Sequence, residues 1–181
     1  MSRPVSLVWL RRDLRLSDHP ALTAAADAGA VIPIFVLDAQ MEALGAAPRW
    51  RLEQSLKSLS ADLEARGLRL ILRRGDPQSI LPGLAQEVGA QAVHWSRLYD
   101  GGSIARDTGV KTALKEAGIE ATSHAGHVLH EPWKVETKTG GFYKVYTPYW
   151  KSVRTIHVPE PNGVPEVSGP QTWPDSDTLT D

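Results

Sequence analysis

The chain has 181 residues, of which 41% are hydrophobic and 23% are charged; this is enough for one buried core and short for two domains. Its formal net charge of -1 excludes a global positive field that would bind nucleic acid by neutralising phosphates. The absence of cysteine excludes disulfides, thiolate metal sites and cysteine nucleophiles. No apolar run approaches the roughly 20 residues that span a bilayer, and the N-terminus lacks a signal-peptide pattern. We therefore expect a cytoplasmic protein without a membrane partner.

Short apolar runs of strand length alternate with amphipathic helical patterns along the chain. This alternation predicts βαβ units and an α/β fold: a Rossmann-like or flavodoxin-like, doubly wound, five-stranded parallel sheet with helices on both faces. The predicted strands are Val5 to Leu10, Val31 to Leu37, Leu68 to Leu72, Ala92 to Trp95 and Ile119 to Ser123.

Helix signals occupy the intervals between these strands. Ser17 or Asp18 can cap the first helix, and Pro20 is tolerated in its first turn. The later helices are predicted from a leucine stripe at 52, 56, 59 and 63, from the Asp76-Pro77 start of a segment that ends at Gly89, and from Ser103 to Ala117.

The pattern changes after the fifth strand. Thr139-Gly140-Gly141 predicts a hairpin turn, and Thr147-Pro148 predicts the start of a short helix. Aromatic residues from Phe142 to Trp150 could stack bases, although an aromatic hairpin that covers a core is the commoner explanation. Five prolines from Pro159 onward predict an extended or disordered linker. We therefore predict an α/β domain over residues 1–157 and a linker over 158–181.

The candidate binding residues lie at the ends of the predicted strands. Neither G-x-G-x-x-G nor a P-loop motif is present, but an open parallel sheet binds ligands outside the carboxyl ends of its strands. Aromatic, acidic and guanidinium groups there could hold a flat heterocycle with polar edges, or an anionic group. The alternative for Arg11 to Arg15 is a solvated ion-pair turn. The residues at these ends are Arg11, Arg12, Asp13, Asp38, Gly75, Asp76 and Ser96 to Asp100, with Phe35 near the same rim.

Two other patterns suggest a metal site or a catalytic triad, but their spacing does not support either. His124, His127 and His130 are three residues apart in an extended segment, which turns neighbouring side chains to opposite faces, so we expect no metal site. Ser17-Asp18-His19 has the residue types of a catalytic triad, but adjacent positions cannot form its nested geometry. We predict no catalytic residue in this chain.

Several ordered motifs resemble the DNA photolyase and cryptochrome family. The stretch W-L-R-R-D-L-R-L-S-D-H-P-A-L from Trp9 to Leu22 is similar to the family's opening W-x-R-x-D-L-R-x-x-D-N-x-A-L, with His19 in place of the common Asn. P-I-F-V-L-D at 33–38, R-G-D-P at 74–77, I-A-R-D at 104–107 and Y-K-V-Y-T-P-Y-W-K at 143–151 follow in register. The resemblance covers about residues 5 to 155.

This resemblance implies a light-harvesting antenna domain. Family members that bury a deazaflavin or flavin antenna use the crevice at the strand ends, and the matching positions here are Arg12, Phe35, Asp38 and Arg51. Arg11 and Asp100 complete the predicted cofactor-binding set. Folate-using members have Asn-Glu where this chain has Gly102-Ser103, and the identity of the antenna (deazaflavin, flavin or folate) stays open. The crevice could also be vacant.

The resemblance further implies that the catalytic groups belong to a separate helical domain, to which nothing in this chain corresponds. In the family that domain carries the catalytic FAD, the tryptophan electron-transfer chain and the pocket for the flipped pyrimidine dimer. We expect it to be the partner of this domain and the only route to damaged DNA, so the isolated chain should be inactive in repair. The alternatives are a cryptochrome photoreceptor fragment and a stand-alone nucleotide- or flavin-binding module without catalysis.

Overall fold

A computed structural model describes residues 3–178. Within them five strands form one parallel sheet in the order β3-β2-β1-β4-β5, and the α/β fold predicted from the sequence is confirmed. None of the helices in this range combines the length and the apolarity that a membrane span requires. The elements are β1 (Val5–Leu10), α1 (Pro20–Ala28), β2 (Ala30–Leu37), α2 (Ala39–Glu42), α3 (Ala46–Glu64), β3 (Ile71–Arg74), α4 (Pro77–Glu87), β4 (Ala92–Ser96), α5 (Gly101–Glu116), β5 (Glu120–His124), a 3₁₀ turn (Pro132–Lys134) and α6 (Tyr146–Val153).

The core has two halves, one on each face of the sheet. Alternate residues of a strand face opposite sides, so Leu7 and Trp9 of β1 pack with α4 and α5, whereas Val8 and Leu10 pack with α1 and α3. This double burial explains why the strands read as continuous apolar runs. The strand order reverses between β1 and β4, which places a topological switch point beside the carboxyl end of β1.

The third strand begins later than the sequence predicts. Leu68 and Leu70 are buried in the core, but backbone pairing with β2 starts only where Ile71 lies opposite Ile34. Burial of a leucine therefore does not mark the start of the strand, because packing and pairing are separate interactions.

Helix α1 is capped by a residue that the sequence analysis did not assign. His19, not Ser17 or Asp18, is the N-cap, and its Nδ1 accepts a hydrogen bond from the Leu22 amide at 3.2 Å. Asp18 adopts a left-handed conformation with φ 50°, and its Oδ1 accepts from the Asn162 amide instead. Because Nδ1 of His19 is an acceptor, the ring proton lies on Nε2, which faces Oδ2 of Asp13 at 3.1 Å.

The segment after β5 does not form the predicted hairpin whose aromatic side chains would cover the core. A turn is present, in which the Thr137 amide donates to the Gly141 carbonyl at 2.9 Å, but no strand flanks it in the described chain. The predicted hairpin is therefore wrong. Phe142 is 75% exposed and Tyr146 is 71% exposed, so these rings lie outside the core. Helix α6 begins at Tyr146, one residue before the predicted cap Thr147.

The proline-rich tail has no helix or strand as far as residue 178, yet it packs against the sheet. The Ser168 carbonyl accepts from the Val31 amide at 2.8 Å, and the Asp177 amide donates to the Leu72 carbonyl at 3.0 Å. Trp173 contacts both halves of the core. The tail thus covers the β3 edge, which would otherwise offer unpaired backbone groups. Its role as a linker stays a prediction, and residues 1–2 and 179–181 of the two predicted ranges lie outside the described part.

Strands β4 and β5 meet at a pair of histidines. His94 Nδ1 and His124 Nε2 are 3.0 Å apart. Burial and the charges of His94, Arg97 and His19 lower the pKa of His124 from 6.5 to about 4. The unfolded chain therefore takes up this proton near pH 6.5, whereas the folded chain takes it up only near pH 4, so acidification across this window favours unfolding.

We predict a packing defect in the tail for Gly169→Ala. A Cβ atom at position 169 would overlap the Trp173 ring, so the substitution should displace the ring and lower the free energy of unfolding by about 1–3 kcal/mol. Gly163→Ala is the matched control, because a Cβ there meets nothing within 4 Å. Urea denaturation of the two variants measures the difference, and equal midpoints would contradict the docking of Trp173.

We also predict an acid sensitivity that depends on His124. Between pH 6.5 and 4 the urea midpoint of the wild-type chain should fall more steeply than that of His124→Asn, because the variant lacks a group with a lowered pKa. His127→Asn, at an exposed position, should retain the wild-type slope. A His124→Asn profile parallel to that of the wild type would contradict the assignment.

Candidate ligand-binding site

The carboxyl ends of β1, β2 and β4 enclose a crevice at the switch point of the sheet. Its walls combine aromatic, charged and aliphatic side chains from these ends and from α2 and α5. The lining residues are Trp9, Arg11, Arg12, Phe35, Val36, Asp38, Gln40, Met41, Leu98 and Arg106. Four of the six residues predicted from the sequence, Arg11, Arg12, Phe35 and Asp38, therefore come together here.

Arg11 lines the crevice with both terminal nitrogens already engaged. Its Nη1 pairs with Asp107 Oδ1 at 2.7 Å, and its Nη2 donates to the Ser96 carbonyl. The guanidinium lies 4.4 Å from the centre of the Trp9 ring. The alternative of a solvated turn is wrong for this residue and for Asp13, since both are buried. Arg11 thus joins β1 to β4 and α5.

Asp13 organises the turn after β1. Its Oδ1 accepts from the Arg11 amide at 2.9 Å, and its Oδ2 faces His19. Burial alone would raise the pKa of Asp13, but the interactions with His19, Ser96 and the Arg11 amide outweigh burial and hold that pKa well below its usual range. The carboxylate is therefore charged at neutral pH and fixes the turn from which Arg12 emerges.

Arg12 lies at the outer edge of the crevice and faces Asp100, which does not line it. Their side chains are 53% and 49% exposed, and Arg12 Nη1 lies 3.6 Å from Asp100 Oδ2. Asp100 is the N-cap of α5 and accepts from the amide and the hydroxyl of Ser103, each at 2.9 Å. These hydrogen bonds, with the charge of Arg12, lower the pKa of Asp100. Arg12 is thus a half-exposed cation at the rim.

Asp38 positions the short helix α2 and pairs with an arginine that the sequence analysis did not single out. Its Oδ1 caps the helix by accepting from the Met41 amide at 3.0 Å, while its Oδ2 accepts from Arg106 at 2.9 Å. The Arg106 guanidinium also lies 5.1 Å from the centre of the Trp9 ring. The I-A-R-D motif contained this residue, but nothing local indicated that it would reach β2.

The crevice itself is nearly filled by these side chains. Phe35 forms its floor and is 1% exposed, and the remaining free volume is about 20 Å³, room for about one water molecule. A ring-sized ligand therefore needs further space.

That space lies next to the crevice, between α2, α3 and the ends of β2 and β3. A cavity of about 320 Å³ reaches the lower end of the range for small-molecule sites. It shares the Met41 side chain with the crevice. Three leucines provide apolar walls, and two glutamates and two arginines provide polar edges. The lining residues are Leu37, Met41, Glu42, Arg49, Leu52, Glu53, Leu56 and Arg74.

Helix α3 presents one face to this cavity, and Arg51 is not on it. Arg49, Leu52 and Leu56 line the cavity at spacings of three and four residues, which defines a single helical stripe. Arg51 is exposed and lies two positions from Arg49, on another side of the helix. The leucine stripe at 52 and 56 was the sequence signal that could have indicated Arg49 instead.

The arrangement can accommodate a planar ligand. Apolar walls with carboxylate and guanidinium edges suit a heterocycle with N–H donors and an anionic tail. Residues 3–178 contain no group of three or more histidine, aspartate or glutamate side chains that could hold a metal ion.

Comparison with known proteins gives photolyases and cryptochromes among the relatives of this chain. A family model described as DNA photolyase matches residues 6–167. The deoxyribodipyrimidine photo-lyase of Agrobacterium fabrum is 41% identical over 177 residues, and the match covers 96% of this chain and 37% of the relative. Cryptochrome-2 of Arabidopsis thaliana is 37% identical over 165 residues, covering 86% of this chain and 27% of the relative. The chain thus spans little more than a third of the first relative and about a quarter of the second.

Solved structures agree with this comparison. A bacterial class III photolyase from Agrobacterium tumefaciens superposes with a TM-score of 0.93 at 41% identity, covering 99% of this chain and 38% of that one. A cryptochrome from Synechocystis sp. PCC6803, at 23% identity, shares the fold with a TM-score of 0.85, covering 97% of this chain and 39% of that one. The resemblance noted in the motifs is confirmed. Because the family model matches almost the whole described chain and the fold agrees with it, the chain belongs to the DNA photolyase family.

Proposed function

We propose that this chain is the antenna-chromophore-binding domain of a DNA photolyase that, in full length, uses light and FAD to split cyclobutane pyrimidine dimers. The observation that carries the proposal is the 320 Å³ cavity at the strand ends, next to the switch-point crevice of a chain in this family. Open parallel sheets bind ligands outside the carboxyl ends of their strands at the switch point, and this cavity lies at the ends of β2 and β3, next to that point.

The residues around the cavity fit an antenna of the flavin, deazaflavin or folate kind. Leu37, Leu52 and Leu56 would pack on a planar ring. Glu42 and Glu53 would accept hydrogen bonds from ring N–H groups, and the arginines at the rim would pair with a phosphate or carboxylate on the tail. The bound chromophore would supply light absorption and energy transfer, while these residues would hold and orient it. Arg12, Phe35 and Asp38 would contribute from the crevice side.

The repair activity of the whole protein would require the part of the longer relatives that this chain does not match. The partner would be a C-terminal FAD-binding helical domain of the same protein, and damaged DNA would be bound only through that domain. The length of the relatives supports this, since the match covers 37% of the Agrobacterium fabrum enzyme.

A cryptochrome is the second candidate. The 37% identity with cryptochrome-2 of Arabidopsis thaliana favours a role for the same domain in light signalling. The photolyase function is preferred because the photo-lyase relative matches more of the chain at higher identity.

We predict that filling the cavity weakens chromophore binding. Leu52→Trp should place an indole in the space that the ring would occupy and weaken binding about tenfold or more. Arg51→Trp is the matched control, because it adds the same side chain at the neighbouring exposed position. Titration with FMN, a deazaflavin and methenyltetrahydrofolate, followed by ligand fluorescence, measures the affinities. A folded Leu52→Trp variant with wild-type affinity would rule out this cavity.

We also predict that the isolated chain does not repair DNA. Illuminated with blue light in the presence of a thymine-dimer oligonucleotide, it should leave the dimer intact, because electron donation to the lesion belongs to FAD in the other domain. Chromatographic analysis of the oligonucleotide measures the outcome. Light-dependent repair by this chain alone would overturn the assignment of roles.

A further inference from the structure

Asn162 and Gly163 form an Asn-Gly pair in the proline-rich tail. Asn162 is the one asparagine in the sequence, and both residues are exposed in a stretch without helix or strand. In such a pair the backbone nitrogen of the glycine can attack the side-chain amide carbon of the asparagine, because glycine has no side chain that hinders the approach. The contacts of these two residues decide whether they are free to react.

Both reacting groups are available. Within residues 3–178 the Gly163 amide donates no hydrogen bond, and the side-chain amide of Asn162 makes none. A Cβ atom at position 163 would meet nothing within 4 Å, so open space surrounds the nucleophile. Neither a hydrogen bond nor a neighbouring side chain therefore obstructs the attack.

A second pair of this kind is held by hydrogen bonds. Asp100 precedes Gly101, and an aspartate can undergo the same ring closure with loss of water. Its carboxylate accepts from the amide and the hydroxyl of Ser103, each at 2.9 Å, and Gly101 is already the first residue of α5. A carboxylate held in its charged form is a poor target for a nucleophile. The chain thus contains one restrained pair and one unrestrained pair.

We propose that Asn162 is a site of spontaneous deamidation, and that the reaction releases the tail from the turn before α1. The Gly163 nitrogen forms a bond to Cγ of Asn162, the bond from Cγ to the amide nitrogen breaks, and ammonia leaves with the proton of the Gly163 amide. Water then opens the succinimide ring at either carbonyl, which gives aspartate or isoaspartate. In sum, an amide and a water become a carboxylate and an ammonium ion, with no change of oxidation state.

The backbone of Asn162 attaches the tail to the turn before α1. The Asp18 amide donates to the Asn162 carbonyl at 2.8 Å, and the Asn162 amide donates to Oδ1 of Asp18 at 3.2 Å. Asp18 has a φ of 50°, a left-handed conformation that costs free energy in a residue other than glycine. The two hydrogen bonds therefore help to hold a strained residue next to the cap of the helix.

Isoaspartate at position 162 breaks this attachment. Its main chain runs through the β-carbon, which adds one atom to the backbone and turns the carbonyl that accepts from Asp18 into a free carboxylate. This new negative charge lies next to the carboxylate of Asp18, and like charges repel each other. Later contacts of the tail, through Ser168 and Trp173, are left in place. The modification is thus a slow and irreversible loss of one attachment point.

Incubation of the purified chain in mildly alkaline buffer tests the reaction. Peptide mapping by mass spectrometry should find aspartate and isoaspartate at position 162, at a rate that rises with hydroxide concentration, and no isoaspartate at position 100. Gly163→Ala should slow the reaction about tenfold or more, and its methyl group meets no neighbour. The peptide P-E-P-N-G-V-P, residues 159–165, is the positive control. An intact Asn162 in the folded chain after this peptide has reacted would overturn the proposal, as would equal isoaspartate at positions 100 and 162.

Hydrogen exchange tests the release of the tail. In the isoaspartate fraction, separated by ion exchange, the Asp18 amide should exchange about tenfold faster than in the unmodified chain. The Val31 amide, which donates to the Ser168 carbonyl, is the internal control and should exchange equally in both. Asn162→Gln keeps both backbone groups and closes a less favourable six-membered ring, so its Asp18 amide should stay protected during the incubation. Equal exchange of the Asp18 amide in the modified and unmodified chains would overturn the proposal.

The outcome of these measurements is independent of the proposed function. Neither experiment involves a chromophore, light or DNA, because the reaction requires only the two residues and water. Failure of the antenna proposal therefore leaves the deamidation site standing, and the absence of isoaspartate at position 162 leaves the antenna proposal standing.

Discussion

The buried ion pair between Arg11 and Asp107 is the interaction on which the candidate binding end of the sheet depends. Removing two charges from water is costly unless further hydrogen bonds satisfy them. Here the Ser96 carbonyl accepts from Arg11, and the Trp95 indole donates to Asp107 at 3.2 Å. The pair thereby links β1, β4 and α5 at the point where the strand order reverses. The crevice owes its shape to this link, which leaves Arg12 as the outward-facing cation.

The candidate site consists of a filled crevice and an open cavity that share one wall. Asp38 connects them, because it caps α2 and also pairs with Arg106. Met41 on α2 lines both spaces. A ligand in the cavity would therefore contact α2, the helix that Asp38 positions. The ring would lie beside the charged residues at the switch point and not among them.

The rest of the chain extends the α/β unit in two different ways. The tail stabilises the unit by covering the β3 edge, and its Trp173 packs against both halves of the core. The segment around α6 contributes little to either half and exposes aromatic rings instead. The sheet is therefore well packed by the tail, whereas the surface around α6 leaves aromatic rings exposed.

The sequence by itself determined the strands, the alternation with helices and the residues that end each strand, because these depend on local periodicity and on the rule that parallel strands end at one edge. Tertiary structure decided which of two nearby residues in the sequence faces the candidate site. Arg11 turns inward to Asp107 while Arg12 faces solvent, and Arg49 lines the cavity while Arg51 does not, since the rotation of α3 against the sheet is set by packing. His19 caps α1 in place of Ser17 or Asp18, and Asp18 bonds instead to Asn162, 144 residues away in the chain. Such choices depend on partners distant in sequence, which no local pattern contains.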